Sequence, residues 1–398
     1  MDYIFQKPAG VKDFLPPLVR KKRKIEKAIY DVFEKWGYEE IIAPSFEYLE
    51  TFLSSNSPEF SDKIFKFFDR QGRVLALRSD ITTSIARMVA TYYSEHRLPL
   101  RFCYVSNVFR FQEPRKGRDQ EFFQVGAELI GIKGIQADME IILMASEILK
   151  QIGISDFIIN IGHITFLEGL LDEIDADPGK KEQIAHAIWG KNFVLMEELI
   201  RDIPVRPDIK QVLLSLSSFY GGSEILEKLN KTPLNEKCHS ALSELMTLSG
   251  MLKGFSDVRL TFDPGLARGL DYYTGIVFEI YSPGSGFPLG GGGRYDNLMA
   301  RFNGNRPATG FALTEEALLS ILEKDMPDSY EPNYIFYDME SFIAALKKAE
   351  ELRQKNIAVK LIPVENGKEL WFDESFASKT LFIKTKDGEK RHNQNNTP

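Results

Sequence analysis

The chain has 398 residues, 43% of them hydrophobic and 27% charged, a composition ordinary for a soluble globular protein. Its length exceeds what one compact core accommodates and predicts two or three domains. With 50 basic and 57 acidic residues the net charge is −7, which excludes a protein that coats nucleic acid nonspecifically but not a local basic groove.

The start, MDYIFQKPAG, lacks the basic-then-apolar layout of a signal peptide. Residues 1 to 17 carry Pro8, Gly10, Pro16 and Pro17 and are expected to form an extended arm. Ile25, Ile29, Val32 and Phe33 then recur at helical spacing up to Trp36, where Gly37 ends the helix. A short strand closes at Pro44, and a hairpin is predicted over residues 64–68 and 74–77. A helix follows from Ile81 to Tyr93, with Asp80 placed as its cap. Two long strands, Leu100–Phe111 and Phe122–Ile130, are joined by a polar loop with Arg115, Lys116 and Arg118 at its tip. Such a connection makes them antiparallel, and a solvated tip is the usual fate of those charges. Gln124 and Glu128 are four apart, so a strand presents them on one face, with Gly126 between them leaving space. Two hydrogen-bonding groups flanking a gap suit a small polar ligand. Arg110 is a further in-strand polar residue whose burial without a partner would be costly.

A helix over 136–152 and a strand over 157–161 precede a long helical stretch. From Asp172 to about Phe255 helices are expected at 184–200, 208–218, 223–229 and 236–253, punctuated by Pro178, Pro204, Pro207 and Pro233. This reads as a helical insertion of about eighty residues, within the size of a small domain. Strands resume at Val258. Residues 263–297 then read strand, loop, strand, glycine run and helix start. The run Gly290–Gly293 lets backbone approach something closely, whether a ligand or the packing of a hairpin. A strand over 308–313 and a helix over 315–323 complete the sheet region. Beyond Pro332 a strand, a helix over 341–355 and strands at 357–363 and 380–385 predict a small parallel α/β unit over 331–388, with a frayed polar tail at 389–398.

Cys103 and Cys238 are far apart and unpatterned, so neither a disulfide framework nor a zinc site is expected, and a reducing cytoplasm fits. Five histidines show no ligand spacing, so no metal site is expected. No apolar run is long enough to span a bilayer.

Four segments together resemble the histidyl-tRNA synthetase catalytic core, a class II aminoacyl-tRNA synthetase fold: IIAPSFEYLE, LRSDITT with FRFQEPRKGRDQEFFQVGAELIG, ARGLDYYTGIVFE, and GGGRYDNL with ATGFAL. The resemblance covers roughly residues 8 to 320 and implies an α+β fold over residues 1–325, an antiparallel sheet flanked by helices. It implies a two-fold dimer through the Pro44 region. It also implies a histidine pocket built from Asp80, Thr82, Arg110, Gln124, Glu128, Arg268, Tyr272, Tyr273 and Tyr295.

The departures concern ATP and tRNA. The family's third motif, GFA-x-G-x-E-R, here reads GFALTEEA: Thr314 replaces a glycine, and Ala317 replaces the arginine that clamps the γ-phosphate. Gln112 replaces a glutamate expected near the adenine. Losing one stabiliser of transition-state charge costs roughly 10²–10³ in rate. The C-terminal piece is shorter than the family's anticodon-binding domain, and its segment 365–380 is acidic, unsuited to a phosphate backbone. The chain thus also resembles the ATP phosphoribosyltransferase regulatory subunits, paralogues of the synthetase. That resemblance implies no catalytic residues and no cofactor, L-histidine as ligand and feedback signal, and a short-form ATP phosphoribosyltransferase catalytic subunit as partner. The alternative is a divergent histidine–tRNA ligase.

Overall fold

The computed structural model describes residues 3–53, 62–111, 119–255, 258–266, 272–302, 304–322, 330, 332–364 and 380–382. The chain forms two compact units, Met1–Met326 and Pro327–Pro398.

The first unit opens with α1 (Pro16–Lys35), whose two prolines sit in the first turn, where no amide hydrogen is needed. Its stripe of Ile25, Ile29, Val32 and Phe33 is buried, and Gly37 leaves the helix at positive φ. The expected strand before Pro44 shrinks to the two residues of β1 (Glu39–Glu40). Next come β2 (Phe46–Tyr48), α2 (Leu49–Leu53) and the hairpin β3 (Lys66–Phe68) and β4 (Val74–Leu77); β4 lies between β2 and β3 in a small antiparallel sheet. The following elements are α3 (Thr82–Tyr92), β5 (Leu100–Phe109), β6 (Glu121–Ile130), α4 (Ile135–Gln151) and β7 (Ile158–His163).

The helical stretch comprises α5 (Ile164–Asp172), α6 (Pro178–Trp189), α7 (Phe193–Ile200), α8 (Pro207–Ser215), α9 (Glu224–Asn230) and α10 (Glu236–Leu252). The helix expected over 184–200 is two helices. Gly190 caps α6, Lys191 turns at φ 53°, and the Asn192 side chain accepts from the Leu195 amide to start α7. These helices form no compact unit of their own. Ile184, Leu213 and Leu242 join the same apolar cluster as Ile29, Ile141 and Phe311.

The sheet resumes with β8 (Leu260–Phe262), β9 (Ile276–Tyr281) and β10 (Gly290–Arg294); after α11 (Asp296–Ala300) comes β11 (Ala308–Thr314), followed by α12 (Glu315–Leu322). The eight strands run in the order β1-β5-β6-β11-β10-β9-β7-β8. The pairs β1·β5 and β7·β8 at the two edges are parallel and the rest antiparallel, so the expected antiparallel sheet is mixed at its rims. The glycine run is itself a central strand. A side chain at Gly290 or Gly292 would lie 2.2 or 2.0 Å from a backbone oxygen of β11, so the close neighbour is the adjacent strand.

Alternation along β5 divides the two faces. Cys103 faces the large cluster with α1 and α4, while Phe102 and Tyr104 face a second cluster with Ile81, Ile85, Tyr272 and Tyr295. Among the described residues no helix is long and apolar enough to cross a membrane.

The second unit is a parallel three-stranded sheet, with β12 (Asn333–Tyr337) between β13 (Val359–Pro363) and β14 (Thr380–Phe382), and α13 (Phe342–Gln354) as the crossover. Ile335, Ala345 and Ala349 form its core. The acidic segment up to residue 379 and the tail lie outside the described residues.

Candidate ligand site

Glu128 is the centre of the second face. It sits on β6 with 1% of its surface exposed. The Thr82 hydroxyl donates to its Oε1 at 2.7 Å, and the Tyr295 phenol donates to its Oε2 at 2.5 Å. The Tyr104 phenol approaches Oε1 at 3.5 Å. Each donor comes from a different place: Thr82 from the first turn of α3, Tyr104 from β5, Tyr295 from the start of α11. Burial keeps the phenols of Tyr104, Tyr272 and Tyr295 well above their ordinary pKa, and neighbouring carboxylates reinforce this, so they remain donors. Burial also pushes the Glu128 carboxyl up to about 8, against the opposing effect of the Thr82 and Tyr295 hydrogen bonds. A buried carboxylate held by hydroxyls gains most from a compact cation such as an ammonium group.

Tyr272 lies beside this carboxylate, edge-on to Tyr295 with ring centroids 5.8 Å apart and 5.1 Å from the ring of Tyr273. The three rings provide an aromatic wall next to a carboxylate. Asp80 is buried one turn away. Its carboxylate accepts from the Thr83 amide at 2.7 Å and the Thr83 hydroxyl at 3.1 Å, tying down the first turn of α3 just after its N-cap Ile81. Burial raises its pKa, while those bonds and the Arg110 charge oppose the rise. Arg110 donates through Nε to the Ser79 carbonyl at 2.8 Å and lies 5.4 Å from the centre of the Phe122 ring. Gln124, half-buried, faces Ser106 on β5 and Thr314 on β11.

The structure thus brings Thr82, Glu128 and Tyr295 into direct contact, with Tyr272 and Tyr273 beside them and Asp80 behind. Arg268, Gln112 and the charged loop tip at 115–118 lie outside the described residues. The space expected at Gly126 is not open: the Tyr104 ring fills it, with its hydroxyl 2.5 Å from where a side chain at 126 would begin. Tyr104 is the site residue that sequence reasoning missed. Its signal was a bulky aromatic directly opposite a glycine, Tyr104↔Gly126, visible only once the register is known.

The third-motif region is built differently. Ala317 packs against the main core. Glu315 is buried, and the Lys22 ammonium bridges it to Glu26, with Lys22–Glu26 at 2.6 Å. Glu316 accepts from the Phe123 amide at 3.0 Å, which pins the backbone beside Gln124.

This arrangement of sheet, hairpin strands and helices defines a class II aminoacyl-tRNA synthetase-like core. The histidyl-tRNA synthetase family model matches residues 10–318. An ATP phosphoribosyltransferase regulatory subunit from Moorella thermoacetica is 40% identical over 357 residues, 89% of this chain and 92% of that one. The namesake from Geobacillus thermodenitrificans is 37% identical over 90% of this chain and 91% of its own. A crystal structure from Bacillus halodurans, described as an ATP phosphoribosyltransferase regulatory subunit/histidyl-tRNA synthetase, superposes with a TM-score of 0.84 at 31% identity, covering 96% of this chain and 98% of that one. The chain belongs to the family of ATP phosphoribosyltransferase regulatory subunits, within the histidyl-tRNA synthetase-like fold.

Proposed function

We propose that the chain is the non-catalytic regulatory subunit of a short-form ATP phosphoribosyltransferase in histidine biosynthesis, required for the catalytic subunit's activity, and that it senses L-histidine at the Glu128 site. The observation that carries this reading is the buried Glu128 carboxylate, held by Thr82 and Tyr295 beside an aromatic wall. The α-ammonium of an amino acid would meet the carboxylate while its ring packs on Tyr272 and Tyr273. Position 317 supports the absence of catalysis, because an alanine packed on the core supplies no cation for a polyphosphate. Feedback requires histidine to bind the active and inhibited assemblies unequally, a coupling typically worth about 1–3 kcal/mol. A two-fold homodimer through the Pro44 region, in the cytoplasm, completes the proposal.

The second reading, a divergent histidine–tRNA ligase, is supported by the histidyl-tRNA synthetase family model and by a subunit described as histidine–tRNA ligase from Alicyclobacillus acidocaldarius, 31% identical with a TM-score of 0.69 over 80% of this chain and 98% of that one. Histidine calorimetry with and without a short-form catalytic subunit, run beside an ATP–pyrophosphate exchange assay, separates the two. The regulatory reading expects saturable histidine binding and no exchange. Histidine-dependent exchange would replace it with the ligase, and absence of histidine binding in both states would remove the sensor.

A further inference from the structure

A cavity of about 640 Å³ lies away from Glu128, between the C-terminal half of α3 and the segment that follows α11. Three guanidinium groups line it, those of Arg87, Arg301 and Arg306, and none of its described lining residues is acidic. In a chain of net charge −7 this is a local reversal of sign. Arg87 is partly neutralised by Glu47, with N···O distances of 2.8 and 3.0 Å. Arg306 donates to the carbonyl oxygens of Tyr93 and Ser94, which are neutral acceptors, so its charge is not cancelled there. Those carbonyls follow the C-terminus of α3, the end that would repel an anion, and the guanidinium covers them. Val89 and Met299 back the cavity from the core, each 1% exposed, and half-buried Phe302 supplies apolar surface to its lining.

We propose that this cavity binds the phosphate group of a mononucleotide-sized metabolite. Guanidinium groups suit phosphate because their planar fork matches two of its oxygens, and the Phe302 side chain gives a ring something to cover. The volume falls in the range of small-molecule sites. The helices that frame the cavity also carry Thr82 and Tyr295 at their other ends, so an occupant would be felt at Glu128. That corollary rests on the histidine reading; the binding itself does not.

The test is calorimetry on the full chain with adenosine 5′-monophosphate as probe, and separately with inorganic phosphate and with adenosine. Saturable binding of the nucleotide, competition by phosphate and no binding of adenosine are expected, with at least tenfold weaker nucleotide binding in Arg301→Ala. Phenylglyoxal labelling read by mass spectrometry needs no variant: the nucleotide should protect Arg301 and Arg306 but not Arg23, whose side chain is 74% exposed. No saturable binding up to about 10 mM, well above ordinary metabolite affinities, overturns the proposal. So does binding that neither protects these arginines nor weakens in Arg301→Ala. Phosphate binding without nucleotide binding overturns the size of the ligand. For the corollary, a histidine Kd changed at least twofold by saturating nucleotide is expected, and equal values remove the coupling while the site stands.

Discussion

Glu128 and Gly310 face each other across the β6–β11 ladder, and the glutamate's carboxylate occupies the place a side chain at 310 would take. A carbon added at Gly310 would lie 1.8 Å from Glu128 Oε2 and 2.6 Å from the Ala127 carbonyl oxygen. The glycine is therefore the reason a buried carboxylate fits between two central strands.

Gly310→Ala should displace the carboxylate from Thr82 and Tyr295. Moving the side chain alone is insufficient, because the Ala127 backbone is also in the way. Overpacking of this kind costs about 1–3 kcal/mol. Denaturant unfolding should show that loss, and histidine calorimetry should show affinity reduced at least tenfold. Wild-type affinity in a stably folded variant would detach Glu128 from the ligand.

The raised pKa of Glu128 gives a pH dependence of definite sign. Between the ordinary carboxylate value of 4.5 and about 8, the folded state holds a proton that the unfolded state has released. The folded state binds more protons in this window, so stability without ligand is greatest below it and falls as pH rises through it. Glu315, raised to about 7 mainly by burial, adds a slope of the same sign. Glu128→Gln should flatten the profile of unfolding free energy between pH 5 and 8 without abolishing the part from Glu315. An ammonium ligand reverses the preference at Glu128, so histidine binding near pH 7 should release protons, measurable by calorimetry in buffers of different ionisation enthalpy. A buffer-independent enthalpy would contradict an ammonium–Glu128 contact.

Much of this was legible in the chain because period and punctuation are local. Gln124 and Glu128 are placed on one face by alternation alone, and Asp80, one residue before the N-cap Ile81, accepts from the Thr83 amide in the first turn of α3. The break at Gly190–Asn192 is masked by apolar positions that continue on both sides, although glycine and asparagine are ordinary end and start signals. Tyr104 filling the space at Gly126, Gly310 admitting Glu128, and Lys22 reaching Glu315 all depend on register or on partners hundreds of residues away. No local pattern carries such pairings.

Lys22 is the cation shared by a buried acidic pair, one member of which, Glu26, also pairs with Arg23 at 2.7 Å. Its ammonium lies against both Glu26 and Glu315 and 3.9 Å from the centre of the Phe123 ring. Removing one partner of a buried ionic group leaves charge uncompensated and costs about 3–5 kcal/mol. Lys22→Met should lose less than that in denaturant unfolding at pH 7, where Glu315 can hold its proton, with the loss growing towards pH 9 and shrinking towards pH 5. Lys22→Met with Glu315→Gln should be more stable than Lys22→Met alone. Equal stabilities would show that Glu26, and not Glu315, is the carboxylate Lys22 serves.

The small sheet beside Pro44 leaves aromatic surface uncovered within one chain. Phe46 is 53% and Phe68 72% exposed, and Phe46 packs edge-on against Phe67 with centroids 5.9 Å apart. A contiguous exposed aromatic patch is a candidate interaction face. If a second copy covers it, a charge there should prevent association without harming the fold, because the side chain contributes little to the core. Phe46→Glu should halve the mass seen by light scattering, with a monomer stability changed by no more than about 0.5 kcal/mol, as for other surface sites. The wild-type chain should dissociate to the same species on dilution. A wild-type monomer, or a Phe46→Glu protein that keeps the twofold mass, would place self-association elsewhere or remove it.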